Sequence, residues 1–238
     1  MNFFEGETLY IDKPYHMTSF NTLAHVRGMI SRKMGVKKIK VGHAGTLDPL
    51  ATGVLILCTG RATKQIDRLQ AETKEYTATL QLGATTPSFD MELPVDHTYP
   101  VEHVTRSLIE DTLPRFIGEI SQIPPQYSAC KIDGKRAYQM MRDGEEVKLK
   151  AKILRIDEIE LTGYDEEKKT MSIRVVCSKG TYIRALARDI GEALGTGAYL
   201  TELRRTRVGS VTVDRCLKLD DFQAWLDNCH IEMPEPSR

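Results

Sequence analysis

The hydrophobic and polar positions along the chain follow two periods, one typical of strands and one typical of helices. Residues 76–82 alternate between apolar and polar side chains, which predicts a half-buried strand, and residues 171–177 alternate in the same way. From Thr181 to Leu194 the apolar residues keep the i, i+3, i+4, i+7 spacing of a helix, with Gly195 as its stop. Strands and helices are therefore mixed along the chain.

The remaining elements follow from shorter signals. They are a strand at 9–12, a helix from Thr18-Ser19 to about Met34, a buried strand at 54–58, a helix at 101–113 and a strand at 153–161. Because the order is not a regular βαβ alternation, the sequence favours an α+β fold with a mixed sheet. Pro124-Pro125 opens a polar excursion that runs to about Gly144.

Composition excludes several classes of protein. The chain has 238 residues, 41% of them hydrophobic and 28% charged, which is enough for one domain with a full core. The longest aliphatic run is only 54–58 and the N-terminus lacks the features of a signal peptide, so we expect a cytoplasmic protein without a membrane span. The five cysteines contain no C-x-x-C, which argues against a disulfide framework and a zinc site.

The net charge of zero conceals an uneven distribution. Residues 1–70, 71–170, 171–218 and 219–238 carry net charges of +5, −6, +5 and −4, counted as Lys and Arg minus Asp and Glu. Two basic segments of this kind would form an electrostatic surface for phosphate contacts if they meet in space, and a solvated mixed surface is the alternative.

Common cofactor and hydrolase motifs do not occur. Gly134-Lys135 is followed by Arg136, so there is no Walker phosphate loop, and Gly195-Thr196-Gly197 lacks the third glycine of a dinucleotide site. Neither G-x-S-x-G nor H-E-x-x-H is found, and the six histidines show no metal-ligand spacing. A nucleotide cofactor, zinc-dependent hydrolysis and serine hydrolase chemistry therefore lose support, and we expect no metal.

Asp48 lies in a loop that suits a reactive carboxylate. Two glycines, Gly42 and Gly45, allow close backbone approach, Pro49 biases Asp48 towards an extended conformation, and the apolar run at 54–58 anchors the loop to the core. An isolated Asp before Pro is otherwise usually a turn former.

The stretch Gly42-His43-Ala44-Gly45-Thr46-Leu47-Asp48-Pro49-Leu50-Ala51-Thr52-Gly53-Val54-Leu55 resembles, along its whole length, the signature of the TruB family, the tRNA pseudouridine-55 synthases. Three further stretches resemble that family: Lys13-Pro14 with Met17-Thr18-Ser19, the segment 124–138, and Ser178 to Asp189 continuing to 203–209. Together they cover most of residues 9–210 in the family's order.

The resemblance implies the pseudouridine synthase fold, a central mixed, mostly antiparallel sheet flanked by helices and loops. It also implies an activity, the isomerisation of uridine to pseudouridine in the T-loop of tRNA, at position 55, without a cofactor. The N-glycosidic bond is broken, the uracil turns over, and it rejoins the ribose through carbon. Asp48 matches the catalytic nucleophile, Tyr76 the tyrosine that stacks on the uracil, and Arg184 the arginine that pairs with the aspartate. Core tyrosine and solvated helix arginine are the alternatives for the last two.

Further residues match the family's substrate-binding positions. His43 matches the residue that fills the space left by the extruded base, Tyr182 and Leu203 match pocket walls, and Lys13 supports the site or contacts phosphate. Candidates for RNA backbone contacts are Lys64, Lys131, Lys135, Arg136, Arg142, Lys179, Arg204, Arg205 and Arg207.

The resemblance predicts a catalytic domain over residues 1–218 with a thumb-like RNA-binding loop at about 124–150, followed by a short tail at 219–238 without the PUA domain of many bacterial relatives. Family members carry glycine where this chain has His16, so His16 is expected at a position that needs positive φ. The expected partner is tRNA, bound by a monomer. A noncatalytic RNA chaperone and a glycoside hydrolase with paired carboxylates are the competing hypotheses.

Overall fold

The computed structural model describes residues 1–128, 131, 132, 135, 136, 140 and 149–232. Within these residues the strands are β1 Thr8–Lys13, β2 Val41–His43, β3 Ala51–Thr59, β4 Lys74–Leu82, β5 Ala84–Thr85, β6 His97–Thr98, β7 Gly118–Gln122, β8 Lys131–Ile132, β9 Lys135–Arg136, β10 Lys152–Asp165, β11 Thr170–Cys177, β12 Ala198–Val208, β13 Val211–Thr212 and β14 Leu217–Lys218. The α-helices are α1 Ser19–Lys33, α2 Ile66–Ala71, α3 Arg106–Thr112, α4 Ile183–Ala193 and α5 Phe222–Asp227.

The chain divides into two compact units, Met1–Lys74 together with the residues from Arg204 onwards, and Glu75–Leu203. In the first unit β1 pairs antiparallel with β3, Tyr10 opposite Ile56, and parallel with β14, Ile11 opposite Leu217. Helix α1 begins at its N-cap Thr18, whose hydroxyl accepts from the amide of Asn21. Its apolar face packs in a core that includes Ile11, Leu55 and Phe222, so the segment expected as a tail supplies core residues.

In the second unit β10 pairs antiparallel with β11 and with β7. Strand β11 lies between β10 and β4 in the sheet order. Its residues Met171, Ile173 and Val175 are buried, as the alternation predicted. Helix α4 begins after Tyr182, where the buried amide of Gln122 accepts from the Tyr182 amide at 2.9 Å and donates to its carbonyl at 3.2 Å.

The α+β class with a mixed, mostly antiparallel sheet is confirmed, since both parallel and antiparallel pairs occur. The helix predicted at 101–113 is wrong at its start, because Thr105 is the N-cap and the helix begins at Arg106. The strand predicted at 153–161 continues to Asp165, past an irregularity between Leu161 and Gly163. No helix of the described residues is long and apolar enough to cross a membrane.

Candidate active site

The candidate residues fall in both units. Asp48, Lys13, His43 and Lys64 belong to the first unit, and Tyr76, Lys179, Tyr182, Arg184 and Leu203 belong to the second. The side chains of Lys131 and Arg136, and most of the predicted thumb-like loop, lie outside the described residues.

The backbone on both sides of Asp48 is fixed by hydrogen bonds. The buried hydroxyl of Ser19 donates to the carbonyl of Leu47 at 3.0 Å and accepts from its amide at 2.8 Å. On the other side, the amide of Ala51 donates to the carbonyl of Asp48 at 3.1 Å. The half-buried carboxylate is therefore carried on a loop with little freedom, as the glycine and proline pattern predicted.

Lys13 lies beside this loop and is fully buried, with 0% of its surface exposed. Its ammonium donates to the carbonyls of Pro14 at 2.8 Å, Met17 at 2.5 Å and Pro49 at 3.5 Å. Burial lowers the pKa of Lys13 to about 8, while the negative charge of Asp48 raises it. Of the two roles expected for Lys13, this environment fits support of the loop.

Arg205 is a further buried cation of this unit, with 1% of its surface exposed. It donates to the carbonyl of Val54 at 2.8 Å and to that of Gly45 at 3.2 Å. The close packing depends on Gly53, because a Cβ at Gly53 would lie 2.2 Å from the carbonyl oxygen of Arg205. Arg205 was expected among the RNA contacts, but the structure buries it as a brace of the Asp48 loop.

Arg204 also has a partner within the protein. Its guanidinium pairs with Asp12 at 2.7 Å and donates to Thr52 at 3.2 Å. Nothing in the run Leu203-Arg204-Arg205-Thr206-Arg207 distinguishes a buried arginine from an exposed one, so these partners could not be identified from the sequence.

His43 is half-buried at the end of β2. Burial lowers the pKa of its imidazole, and the positive charge of Arg205 lowers it further. The lowered pKa favours the neutral form of the ring at pH 7, which suits the expected role of His43 in filling the space left by a base.

Arg184 is a buried candidate residue of the second unit. It lies in the first turn of α4 with 4% of its surface exposed, so the alternative of a solvated helix arginine is wrong. Its guanidinium donates to the carbonyls of Ser88 and Tyr127, each at 3.0 Å, and lies 3.7 Å from a carboxylate oxygen of the buried Asp90. The predicted pairing of Arg184 with Asp48 stays a prediction.

Asp90 and its neighbour Phe89 were not identified from the sequence. Phe89 adopts a φ of +62°, a conformation that bulky residues rarely take, and its ring lies 4.9 Å beneath the guanidinium of Arg188. Arg188 also pairs with Asp189 at 2.7 Å and donates to the carbonyl of Ile123 at 3.2 Å. Two arginines one helical turn apart thus connect residues 88–90 to residues 123–127. The sequence gives no sign that Asp90 is buried, apart from the lack of a regular helix or strand pattern around it.

Tyr76 lies on β4 with its side chain largely buried. Most of its surface therefore belongs to the core, as the alternative of a core tyrosine predicted. Tyr182 and Leu203 are half-buried, whereas Lys64 and Lys179 are exposed and accessible to a phosphate.

Among the described residues, no group of three or more His, Cys, Asp and Glu side chains is arranged to hold a metal ion.

Comparison with known proteins defines the class of this fold. Chains titled "Crystal Structure of a Cbf5-Nop10-Gar1 Complex" and "Crystal structure of the archaeal box H/ACA sRNP Nop10-Cbf5 complex" superpose with TM-scores of 0.68 and 0.65 at 28% identity. Each match covers 94% of this chain, which spans 55% and 54% of those longer chains. The chain therefore shares its fold with these longer chains.

Sequence comparison identifies the family. The model described as "TruB family pseudouridylate synthase (N terminal domain)" matches residues 32–183, and the "tRNA pseudouridylate synthase B C-terminal domain" matches residues 184–233. The proteins named tRNA pseudouridine synthase B of Phocaeicola vulgatus and Bacteroides thetaiotaomicron are 65% and 62% identical, with 98% and 99% of each chain covered. The chain belongs to the TruB family, and the resemblance found in the motifs is confirmed.

Proposed function

We propose that this protein isomerises uridine to pseudouridine in tRNA and acts on the T-loop uridine at position 55. The observation that carries the proposal is the Asp48 loop, whose backbone is held by Ser19 and Ala51 and whose carboxylate interacts electrostatically with the buried ammonium of Lys13. Proteins named tRNA pseudouridine synthase B are 65% and 62% identical to this chain over nearly its full length. This similarity supports pseudouridine synthase activity with tRNA as the substrate.

The chemistry needs one fixed nucleophile and no external reactant. The bond between N1 of the uracil and C1′ of the ribose breaks, the uracil turns, and a bond forms between C5 and C1′. C5 loses a proton and N1 gains one, so the atoms balance without a cofactor. The Asp48 carboxylate serves as the nucleophile towards the sugar or the base. The bond that it forms during cleavage breaks again by the time C5 has joined C1′, so the carboxylate is regenerated.

The other candidate residues bind the base and orient it. A stacked uridine has to be extruded from the RNA, at a cost of a few kcal/mol, and aromatic side chains offset part of the lost stacking. Tyr76 stacks on the uracil and relays a proton, Tyr182 and Leu203 line the pocket, and neutral His43 fills the vacated space. Arg184, fixed by Ser88 and Tyr127, supplies a positive charge whose direction cannot change freely.

The test is incubation of the wild-type protein with an unmodified tRNA transcript, without cofactor, followed by mapping of pseudouridine at each nucleotide. We expect modification confined to the T-loop uridine. Release of free uracil would favour a glycoside hydrolase instead, and tRNA binding with no change in any uridine would favour an RNA chaperone.

A further inference from the structure

Helix α1 lies within a long stretch that carries no negative charge. From Lys13 to Leu47 the sequence contains seven Lys and Arg residues and no Asp or Glu. Lys13 is buried, but Arg32, Lys37, Lys38 and Lys40 are exposed. In a chain of zero net charge, this stretch concentrates positive charge outside the Asp48 loop.

A groove of about 450 Å³ runs along one face of α1. Its lining residues recur at helical spacing, and they are Met17, Asn21, Ala24, His25, Gly28 and Arg32. The opposite face is occupied by the core, and at the end of the helix Lys33 pairs with Asp227 of α5 at 3.1 Å. The groove therefore opens away from the core that α1 covers.

Gly28 leaves the floor of this groove open, because it has no side chain. Glycine is a poor helix former, and here a Cβ would meet only the flexible end of Arg32, at 3.6 Å. No packing against the rest of the protein requires glycine at this position. Its effect is to let an outside group approach the helix backbone.

Aromatic rings lie at the N-terminal end of the groove. Phe20 is 62% exposed and Tyr15 is 44% exposed. The ring of Tyr15 lies 4.1 Å from that of His16, whose φ of +59° confirms the strained position expected where relatives carry glycine. Exposed aromatic rings beside positive charges are the combination that binds a base and the adjoining phosphates of a nucleic acid.

We propose that the groove of α1 is a second contact for the RNA substrate, separate from the residues that bind the target uridine. A base stacks on Phe20, and the adjoining phosphates contact His25 and Arg32, with Lys37 and Lys38 continuing the track. The choice of RNA as the occupant rests on the proposed function and on the absence of acidic side chains along the whole stretch. A protein segment with acidic side chains is the outcome that the test has to separate.

The test measures tRNA binding by Arg32→Glu and Phe20→Ala variants of the full chain. We expect the dissociation constant for an unmodified tRNA transcript to rise about tenfold for Arg32→Glu and about fivefold for Phe20→Ala. The slope of log Kd against log salt concentration is expected to fall by about one for Arg32→Glu, because one phosphate contact is lost. The matched control is Arg106→Glu on α3, an exposed arginine that pairs with Glu110.

A benzophenone side chain placed at position 20 provides a second measurement that does not depend on affinity. Crosslinking to the tRNA supports the inference, whereas unchanged affinity in both variants together with no crosslink to RNA overturns it. Crosslinking only to a protein in a cell extract would also overturn it. These readouts need no turnover. A benzophenone variant that crosslinks to tRNA, together with a wild-type protein that makes no pseudouridine, would therefore contradict the proposed function alone.

Discussion

Ser19 and Leu47 are joined by two hydrogen bonds, since the Ser19 hydroxyl donates to the carbonyl of Leu47 at 3.0 Å and accepts from its amide at 2.8 Å. The two residues are 28 positions apart, and Leu47 directly precedes Asp48. This pair fixes the loop to the first turn of α1. The backbone that carries the carboxylate is therefore held by a buried residue, Ser19, with 1% of its surface exposed.

Replacement of Ser19 by alanine tests this relationship. We expect Ser19→Ala to lower kcat at least tenfold with a smaller change in KM, because a small displacement of a catalytic group costs much of its rate. The matched control is Thr18→Ala, which removes the N-cap of the same helix at a cost of about 1 kcal/mol without touching Leu47. Equal losses of kcat in both variants would show that the fall in kcat comes from the lower stability of the helix and not from displacement of the Asp48 loop.

Replacement of Asp48 by asparagine tests the nucleophile. We expect Asp48→Asn to abolish pseudouridine formation while the affinity for tRNA stays within about tenfold, or about 1.4 kcal/mol. The side chain keeps its size, so the loop keeps its packing. Turnover retained in this variant, measured on the same transcript, would exclude Asp48 as the nucleophile.

The low pKa of Lys13 predicts an alkaline limit to activity. Because burial lowers this pKa to about 8, the ammonium beside Asp48 loses its proton above that pH, and kcat is expected to fall. In Lys13→Arg the cation remains charged, so the decline is expected at a higher pH than in the wild type. The ratio of the two pH profiles removes the effects of RNA ionisation, and thermal unfolding checks that the variant folds.

The titration of Lys13 also affects the free energy of unfolding, and here a rise in pH has the opposite effect to the one expected for activity. Between pH 8 and 10.5 the unfolded chain binds more protons at Lys13 than the folded chain, so this contribution to the free energy of unfolding rises with pH. Below pH 8 both states are protonated and the contribution is constant. If activity falls over this pH range while the contribution of Lys13 to the free energy of unfolding rises, the loss of activity results from the loss of the cation and not from unfolding.

The close approach of Gly53 and Arg205 predicts a strong effect on folding. In Gly53→Ala the new Cβ would lie 2.2 Å from the Arg205 carbonyl oxygen, at a φ of +104°, so we expect a loss of more than about 3 kcal/mol. The control is Gly35→Ala, where φ is +65° and no atom lies within 4 Å, so a loss of about 1 kcal/mol is expected. Chemical denaturation of both variants measures the difference, and similar losses would contradict the packing argument.

The sequence predicted the local elements well where one face of an element is buried. Strands β4 and β11 follow the alternation of their apolar residues, and α4 follows its helical spacing. Strand β12 was not predicted, because its arginines break the apolar pattern while their partners lie on β1 and β3. Such pairing depends on residues 151 to 192 positions apart and leaves no local signal.

The candidate site shows the same division. The loop glycines and proline around Asp48 are read directly from the sequence, and the motif resemblance supplied Tyr76 and Arg184. The buried partners Ser19, Asp90 and Arg205 could not be found, because serine, aspartate and arginine are usually exposed and their burial follows from tertiary contacts. Motifs therefore identified residues expected to meet the substrate, and the structure added those that hold them.

The first unit is made from two stretches of chain separated by the whole of residues 75–203, and β1 completes its pairing only with β14. On the ribosome, the first 74 residues therefore emerge without the strand that covers the β1 edge. At ordinary rates of synthesis they wait on the order of ten seconds for Leu217, while residues 75–203 are contiguous and can fold as they appear. Because of the order of translation, the second unit can fold before the first unit is complete. The unit that carries Asp48 is therefore the last to complete its fold.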